Sequence, residues 1–233
     1  MEKPLSNGEI RRLGKAMKLG PLINSEQEAL GELARFWNYQ RTEIELSIKS
    51  HLSEIEHEFS YRVKNLNTIL QKMNRTTINL DDMRDVVGIR VVIDGDLNFQ
   101  ELIVNLLESH LAGNKPRRIN RLRKPMFGYR AIHLEVQFHG GPVEIQVRTA
   151  LQHQWAMLSE RAVGILGPQI KYEDSDEFSD IRSRLSELSV MIMGFENSIF
   201  LDTLAPTANY RLNIMKLVDE ITHLIYQRED QVR

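Results

Sequence analysis

The 233-residue sequence has no cysteine, few aromatic residues and no apolar run long enough to cross a bilayer. The absence of cysteine excludes disulfides, thiolate catalysis and zinc ribbons, and it fits a reducing cytosol. A membrane-spanning helix needs about 20 consecutive apolar residues, and the N-terminus lacks the apolar core of a signal peptide. We therefore expect a cytoplasmic protein with no membrane partner.

The sequence also lacks a strong charge of either sign. Its 30 basic and 32 acidic residues leave a formal net charge of −2, so any site that binds nucleic acid or phosphate must be local. Hydrophobic residues make up 42% of the chain and charged residues 27%, as in a soluble globular protein. The length allows one large domain, or a domain with helical extensions.

Apolar residues at helical spacing predict a long helix near the N-terminus. Its stripe comprises Leu30, Leu33, Phe36, Trp37, Ile44, Ile48, Leu52 and Ile55. Ser25 followed by Glu28 is a capping-box pattern at its start. Residues 61–75 are expected to continue as a helix with a basic face, which is either solvated or part of a polyphosphate site.

Two further apolar stripes near the C-terminus predict a helical hairpin. Its helices are expected at about 178–201 and 210–227, separated by Pro206. The hairpin could pack on the domain or build an interface between copies of the chain.

The segment 141–149, GPVEIQVRT, predicts a strand with unusual chemistry on one face. Its apolar face carries Val143, Ile145 and Val147, and its polar face carries Glu144, Gln146 and Arg148. An acid, an amide and a base side by side could bind a metal ion, a base edge and a phosphate. The structural alternative is a half-exposed sheet edge with a cross-strand ion pair.

A second predicted strand, 86–93, is β-branched and nearly all apolar, which is typical of a buried strand. Asp85 lies at its start and Arg90 lies within it. A charge inside such a run is costly unless it is paired or reaches a ligand. Asp85 and Arg90 are an odd number of residues apart, so a regular strand would place them on opposite faces. Either the strand begins near Gly88 or a bulge realigns the two side chains.

Period-two alternation returns from Gly128 onward, and the turn pattern at 139–142 predicts a hairpin with the strand that follows. Tyr129, His133, Glu144 and Gln146 could then line one surface. The basic run 115–124, KPRRINRLRK, has three interpretations: a solvated loop, a cradle for phosphates, or a contact to a tRNA backbone.

In order and spacing, RVK, DVVGIR, GYRAIH and EIQVRT followed by LQHQWA resemble the synthetase domain of RelA/SpoT-type alarmone enzymes, over about residues 61–160. The resemblance implies an α+β fold: a nucleotidyltransferase-like mixed β-sheet flanked by helices, with an N-terminal helix and a C-terminal helical hairpin. It also divides the chain into an N-terminal helical segment (1–60), a synthetase core (61–165) and a C-terminal helical extension (166–233).

The same resemblance implies an Mg²⁺-dependent enzyme that transfers the β,γ-pyrophosphate of ATP to the 3′-hydroxyl of GDP or GTP and releases AMP. A toxin branch of this fold instead modifies the 3′ end of tRNA, which would bring an antitoxin as partner, and some members use adenine nucleotides as acceptor. A catalytically inactive nucleotide-binding regulator is the hypothesis from another functional class.

Roles on the donor side follow from the resemblance, motif by motif. Asp85 would hold Mg²⁺, and Glu144 would share that role or help to deprotonate the acceptor. Four cations would bind ATP: Arg62 and Arg90 on either side of the adenine, and Lys64 and Lys72 at the phosphates. A guanidinium stacks on rings as an ammonium cannot, which would explain a charge inside an apolar strand.

On the acceptor side, the resemblance implies that Tyr129 stacks on the base, His133 contacts the phosphates and Gln146 orients the acceptor. Many guanine-nucleotide synthetases carry a Pro-Lys-x-Asn-Gly-Tyr loop, whereas residues 123–129 here read RKPMFGY. Lys124 is one residue further from the glycine, and Phe127 replaces the asparagine. The acceptor therefore stays open among guanine nucleotides, adenine nucleotides and tRNA.

No histidine in the chain is followed by aspartate. The His-Asp metal signature of the family's hydrolase domain is therefore missing, and we expect a synthetase without a hydrolase.

Overall fold

A computed structural model describes residues 1–167, 169–172, 176–200 and 207–232, which form an α+β fold. In chain order, the described α-helices and strands are α1 (Asn7–Leu19), α2 (Asn24–His51), β1 (His57–Val63), α3 (Leu66–Arg75), β2 (Val87–Ile93), α4 (Leu97–His110), β3 (Arg117–Asn120), β4 (Ile132–Phe138), β5 (Gly141–Thr149), α5 (Ala150–Leu166), α6 (Gln169–Tyr172), α7 (Ser179–Phe200) and α8 (Thr207–Val232). Short 3₁₀ helices lie at Leu80–Asp82, Ala112–Asn114 and Asp176–Phe178.

The chain divides into two compact units. The first comprises Met1–Val91, Val104–Ile119 and His133–Gln146, and the second comprises Val92–Ile103, Asn120–Ile132 and Val147–Arg233. The linear division into segments 1–60, 61–165 and 166–233 stays a prediction.

The five strands form one sheet in the order β1-β2-β5-β4-β3. The strand with the acid-amide-base face, β5, is therefore central, and it lies between β2 and its predicted hairpin partner β4. The predicted α+β class with a mixed sheet flanked by helices is confirmed.

In the first unit, α2 is fixed to the β4–β5 turn. Gln40 is fully buried on α2, and its side-chain amide donates to the backbone oxygen of Phe138. Gly141 lies against the same helix, because a Cβ atom there would come within 3.0 Å of the Phe36 ring. The buried residues of the apolar stripe on α2 therefore form core, one of the two roles, core or partner-facing, that the stripe could have.

The predicted basic helix over 61–75 is wrong in its first part. Residues up to Val63 belong to β1, and the helix begins only at Leu66. Asn65 ends the extended segment, because its side-chain oxygen accepts from the backbone N–H of Thr68 at 2.8 Å and caps α3. Arg62 therefore lies on a strand and Lys64 just beyond it.

Three other boundaries differ from prediction. Helix α2 begins at Asn24 and ends at His51, so Ile55 lies beyond it, and Glu26 rather than Glu28 reaches back to the N–H of Ile23, at 3.0 Å. Strand β4 begins at Ile132, so Tyr129 precedes the strand on which it was predicted.

The second unit has a helical core. Side chains of α5, α7 and α8 form one buried cluster that includes Trp155, Leu188, Ile192 and Ile221, and α7 contacts α8. The predicted C-terminal helical hairpin is confirmed, although Pro206 and residue 201 lie outside the described residues. Within those residues, none of the helices combines the length and apolar character that a bilayer-spanning segment requires.

Candidate active site

The polar face of β5 is the centre of the candidate site in the first unit. Val143 and Ile145 are fully buried, whereas Glu144 and Gln146 are partly exposed on the opposite face, as the alternation predicts. The Gln146 amide donates to Glu144 Oε2 at 2.6 Å. From the neighbouring strand β4, His133 Nδ1 lies 2.9 Å from Glu144 Oε1. His133, Glu144 and Gln146 therefore share one face, as predicted.

The Glu144 carboxyl group is held in its charged form. Burial on its own would raise its pKa, but the hydrogen bonds and charge of His133 and the hydrogen bond from Gln146 outweigh burial, and the pKa lies below its ordinary value. The structure thus maintains an anion on a partly buried sheet face.

Asp85 is the second carboxylate of the candidate site, and it lies between two lysines. Lys72 Nζ on α3 is 2.7 Å from Asp85 Oδ2, and Lys64 Nζ is 3.0 Å from the same oxygen. Lys64 also donates its backbone N–H to Val86 at 2.9 Å. This bond places the end of β1 beside the start of β2.

The position of Asp85 shows why it need not lie on the opposite face of a strand from Arg90. Strand β2 begins at Val87, so Asp85 precedes it and strand alternation with Arg90 does not apply. Burial alone would raise the pKa of Asp85, but Lys64 and Lys72 lower it below the ordinary range. Among the described residues, no hydrogen-bond partner reaches its buried Oδ1 atom.

Asp85 and Glu144 lie within electrostatic reach of each other, because the charge of Asp85 acts to raise the pKa of Glu144. In the part of the chain that the structure describes, no three His, Asp, Glu or Cys side chains form a ready-made metal site. A cation held here would take at most two carboxylates from the protein and its other ligands from phosphate and water. Mg²⁺ is commonly bound in this way.

The two predicted adenine-binding arginines lie on adjacent strands of the first unit. Arg62 is exposed on β1, and Arg90 is partly exposed on β2. A Cβ atom on Gly88 would come within 3.7 Å of the backbone oxygen of Arg62. Their contact with adenine stays a prediction.

Two predicted acceptor residues belong to the second unit. Lys124 is exposed in the loop before Tyr129. The Tyr129 hydroxyl accepts a hydrogen bond from the Arg148 guanidinium at 2.9 Å, and the Arg148 Cζ atom lies 5.0 Å from the centre of the ring. For Arg148, which is buried in β5, the structure shows this pairing with Tyr129.

Sequence reasoning missed a set of hydrogen-bonded polar side chains in the second unit, most of them buried. Arg130 stands inside the GYRAIH motif without an assigned role, and it donates to Ser189 of α7 at 3.0 Å. Glu196, also on α7, is buried and accepts hydrogen bonds from Thr149 and Gln152. For Ser189 and Glu196, the signal that could have found them is that polar residues interrupt the apolar stripe of a predicted helix.

Comparison with known families matches residues 61–163 to the family described as "Region found in RelA / SpoT proteins". An uncharacterized protein of Mycobacterium tuberculosis is 29% identical over 75% of this chain, which spans 64% of that relative's length. A probable chloroplastic GTP diphosphokinase of Oryza sativa subsp. japonica is 35% identical over 42% of this chain and 14% of its own length.

Among solved structures, small alarmone synthetase 1 from Bacillus subtilis has a TM-score of 0.56 at 21% identity. The match covers 72% of this chain and 96% of that structure. The segment 61–163, which matches the family model, contains Lys64, Lys72, Asp85 and Glu144. Residues 61–163 of this chain therefore match a region found in RelA/SpoT proteins, and the fold is similar to that of small alarmone synthetase 1.

Proposed function

We propose that the chain is an Mg²⁺-dependent nucleotide pyrophosphokinase that transfers the β,γ-pyrophosphate of ATP to the 3′-hydroxyl of GDP or GTP and releases AMP. The observation that carries the proposal is the pair of carboxylates in the first unit, Asp85 beside two lysines and Glu144 beside a histidine and an amide. Pyrophosphate transfer requires carboxylates that hold a metal ion and basic side chains that bind the phosphates. The names of relatives, GTP diphosphokinase and small alarmone synthetase, support the same chemistry.

Asp85 and Glu144 are the residues that would hold Mg²⁺. The donor set fits, because Mg²⁺ prefers carboxylate oxygens and because no described residue donates a hydrogen bond to the buried Oδ1 of Asp85. When bound, the ion neutralises charge on the phosphates during transfer.

Glu144 orients the acceptor hydroxyl and takes its proton. The lowered pKa keeps this carboxylate ionised near neutral pH, and a loose phosphoryl-transfer transition state needs orientation of the nucleophile more than a strong base. The hydroxyl oxygen bonds to the β-phosphorus, the bond from that phosphorus to the α,β-bridging oxygen breaks, and AMP leaves. His133 and Gln146 keep the carboxylate in one orientation through their contacts with it.

Lys64 and Lys72 bind the phosphates of ATP. Without a nucleotide their ammonium groups neutralise Asp85. When ATP binds, the two lysines turn to its phosphate oxygens, and Asp85 would then be available to hold the cation.

The tRNA 3′ end is the second candidate acceptor, and the loop before Tyr129 favours it. Met126 and Phe127 are 50% and 62% exposed, and Arg123 and Lys124 are exposed beside them. Exposed aromatic rings next to cations suit unpaired bases and a phosphate backbone. In that case the product is a blocked tRNA rather than an alarmone.

A radiolabel experiment distinguishes the hypotheses. The protein is incubated with γ-³²P-ATP and Mg²⁺ and is offered GDP, GTP, ADP or deacylated tRNA in separate reactions. Label in GDP or GTP with matching AMP release is the expected result. Label in ADP or tRNA alone would reject the guanine-nucleotide assignment, and no AMP release with any acceptor would leave the regulator hypothesis.

Asp85→Asn and Glu144→Gln test the proposed metal ligands. Each should abolish AMP release while the fold persists. Glu135→Gln is the matched control, because Glu135 is a carboxylate on β4 that pairs with the exposed Arg117 at 2.8 Å. Near-full activity of either site variant would show that the metal assignment is wrong.

A further inference from the structure

We propose that Ser189 and Arg130 are positioning residues for the acceptor, because together they fix the turn that carries Tyr129. The inference rests on the proposed function and on the predicted stacking of Tyr129 on the acceptor base. It assigns a role in substrate binding to α7, a helix outside the segment that matches the RelA/SpoT family.

The acceptor turn, defined here as residues 126–129, is tight and close-packed. The Tyr129 N–H donates to the backbone oxygen of Met126 at 2.9 Å. Phe127 and Gly128 have φ angles of +51° and +86°. A Cβ atom on Gly128 would come within 2.8 Å of the Trp155 ring, so the turn lies directly on the indole.

Ser189 holds this turn from α7 by using its hydroxyl group twice. Its Oγ donates to the backbone oxygen of Gly128 at 2.6 Å and accepts from Arg130 Nε at 3.0 Å. The side chain is 2% exposed, so water does not readily replace either bond. Loss of the hydroxyl group would remove both the hydrogen bond to Gly128 and the hydrogen bond from Arg130.

Arg130 connects the two ends of the loop. Besides Ser189, its guanidinium donates to the backbone oxygen of Leu122, at the start of the loop that ends in the acceptor turn. The main chain closes the same loop, because Arg121 donates its N–H to Ala131 at 2.9 Å. The forked guanidinium reaches Ser189 through Nε and Leu122 through Nη1.

Tyr129 is thereby fixed at both its main chain and its side chain. The acceptor turn fixes its backbone, and Arg148 binds its hydroxyl group. The indole of Trp155 is in turn tied to α7 through a 2.7 Å hydrogen bond to Leu185. A ring held in this way presents one defined surface to a base, and a preorganised surface lowers the cost of binding.

The test compares Ser189→Ala and Arg130→Lys with the unchanged chain and with Ser186→Ala, which removes an exposed hydroxyl from the same helix. Initial rates are measured against the acceptor that the unchanged chain uses and, separately, against ATP. Hydrogen exchange of the acceptor turn is followed in parallel. Thermal unfolding verifies that each variant is folded.

We expect Ser189→Ala and Arg130→Lys to raise the apparent KM for the acceptor by about three- to tenfold, with the KM for ATP unchanged. Exchange of the Tyr129 amide should accelerate in both, and Ser186→Ala should change neither quantity. A purely structural role would lower kcat with both KM values unchanged, and that result would overturn the inference, as would an unchanged acceptor KM. An unchanged chain that is inactive with every acceptor would instead refute the proposed function and this inference with it.

Discussion

His133 Nδ1 lies 2.9 Å from Glu144 Oε1 across the β4–β5 pair, and this contact opposes the effect of burial on the carboxyl group. Burial alone would raise the pKa of Glu144, whereas His133 contributes both a hydrogen bond and a charge that lower it. The histidine therefore stabilises the charged form of the carboxylate.

His133→Leu should consequently shift the pH profile of the proposed pyrophosphate transfer. Without the imidazole the effect of burial prevails and the pKa of Glu144 rises, so the acidic limb of kcat/KM should move to higher pH. We also expect kcat to fall by about 10²-fold, as when a general acid–base group loses its partner. The measurement is AMP release between about pH 5 and pH 9, the range in which raised carboxyl pKa values titrate.

His139→Leu is the matched control, because His139 is an exposed histidine on the β4–β5 turn. If His133→Leu lowered the rate equally at every pH, the histidine would not act through the ionisation of Glu144.

Lys72→Met should weaken the binding of ATP. Lys72 lies 2.7 Å from Asp85, and the proposal makes it a ligand of the ATP phosphates. We expect the KM for ATP to rise about tenfold, the typical loss for one charge-assisted hydrogen bond, with the KM for the acceptor unchanged. Lys15→Met, an exposed lysine of α1, should change neither value. An unchanged KM for ATP would remove Lys72 from the donor site.

Asp85→Asn should flatten the dependence of stability on pH on the acidic side. The two lysines depress the folded-state pKa of Asp85, so its stabilisation is present above the unfolded-state value and is lost as the pH falls through the folded-state value. Urea unfolding of the unchanged chain should therefore show a steeper loss of stability below about pH 4 than unfolding of the variant.

Asp82→Asn is the comparison for this measurement, because the side chain of Asp82 is 49% exposed. Its curve should keep the shape of the unchanged chain's curve. Parallel curves for the unchanged chain and Asp85→Asn would show that Lys64 and Lys72 do not stabilise the charged carboxylate.

Glu196→Gln should stabilise the second unit, and more so at higher pH. Burial raises the pKa of Glu196 despite the hydrogen bonds from Thr149 and Gln152, so folding favours the protonated form. The cost of the charged form appears as the pH rises through the unfolded-state value and is complete above the folded-state value. Glutamine can accept from Gln152 and donate to Thr149 without a charge.

Thermal unfolding at a lower and a higher pH, about pH 5 and about pH 8, checks this. The melting temperature should increase by a few degrees at the higher pH, about what 1 kcal/mol gives in a domain of this size, and by less at the lower pH. A lower melting temperature at both would show that the charged carboxylate stabilises the fold.

The parts of the fold that could be predicted were those with a local period. The alternation of β5 predicted that Glu144 and Gln146 share a face, and the β-branched run predicted β2. The turn pattern at 139–142 brought His133 to the same face through the hairpin. In each case the pattern lies within one strand or one hairpin, so residues close together in the sequence are enough to predict the element.

Contacts between distant segments could not be predicted in this way. Ser189 lies 61 residues from its partner Gly128, and no local pattern links a serine on an apolar helix to a turn in another motif. Lys64 was expected on a helix because the cations of 61–75 have helical spacing, yet Asn65 caps a helix that starts after it. The first residue of a helix is therefore set by the capping residue, even where the charged residues before it have helical spacing.

Gly128→Ala should destabilise the chain and impair use of the acceptor. The φ angle of +86° at Gly128 disfavours any side chain, and the new Cβ would lie 2.8 Å from the Trp155 ring. We expect a loss of about 2–3 kcal/mol from backbone strain and overpacking together. Urea unfolding measures this loss, and rates measured at acceptor concentrations up to saturation show whether the surviving enzyme binds its acceptor more weakly.

Gly164→Ala, in the same unit, should stabilise the chain, whereas Gly128→Ala should destabilise it. This glycine lies in α5, and nothing lies within 4 Å of the site of its Cβ atom, so alanine should stabilise the helix by about 0.5–1 kcal/mol. Since Gly128→Ala moves the turn that carries Tyr129, it should raise the KM for the acceptor, whereas Gly164→Ala should leave it unchanged. Equal effects of the two substitutions on stability would mean that the turn is not held against the indole.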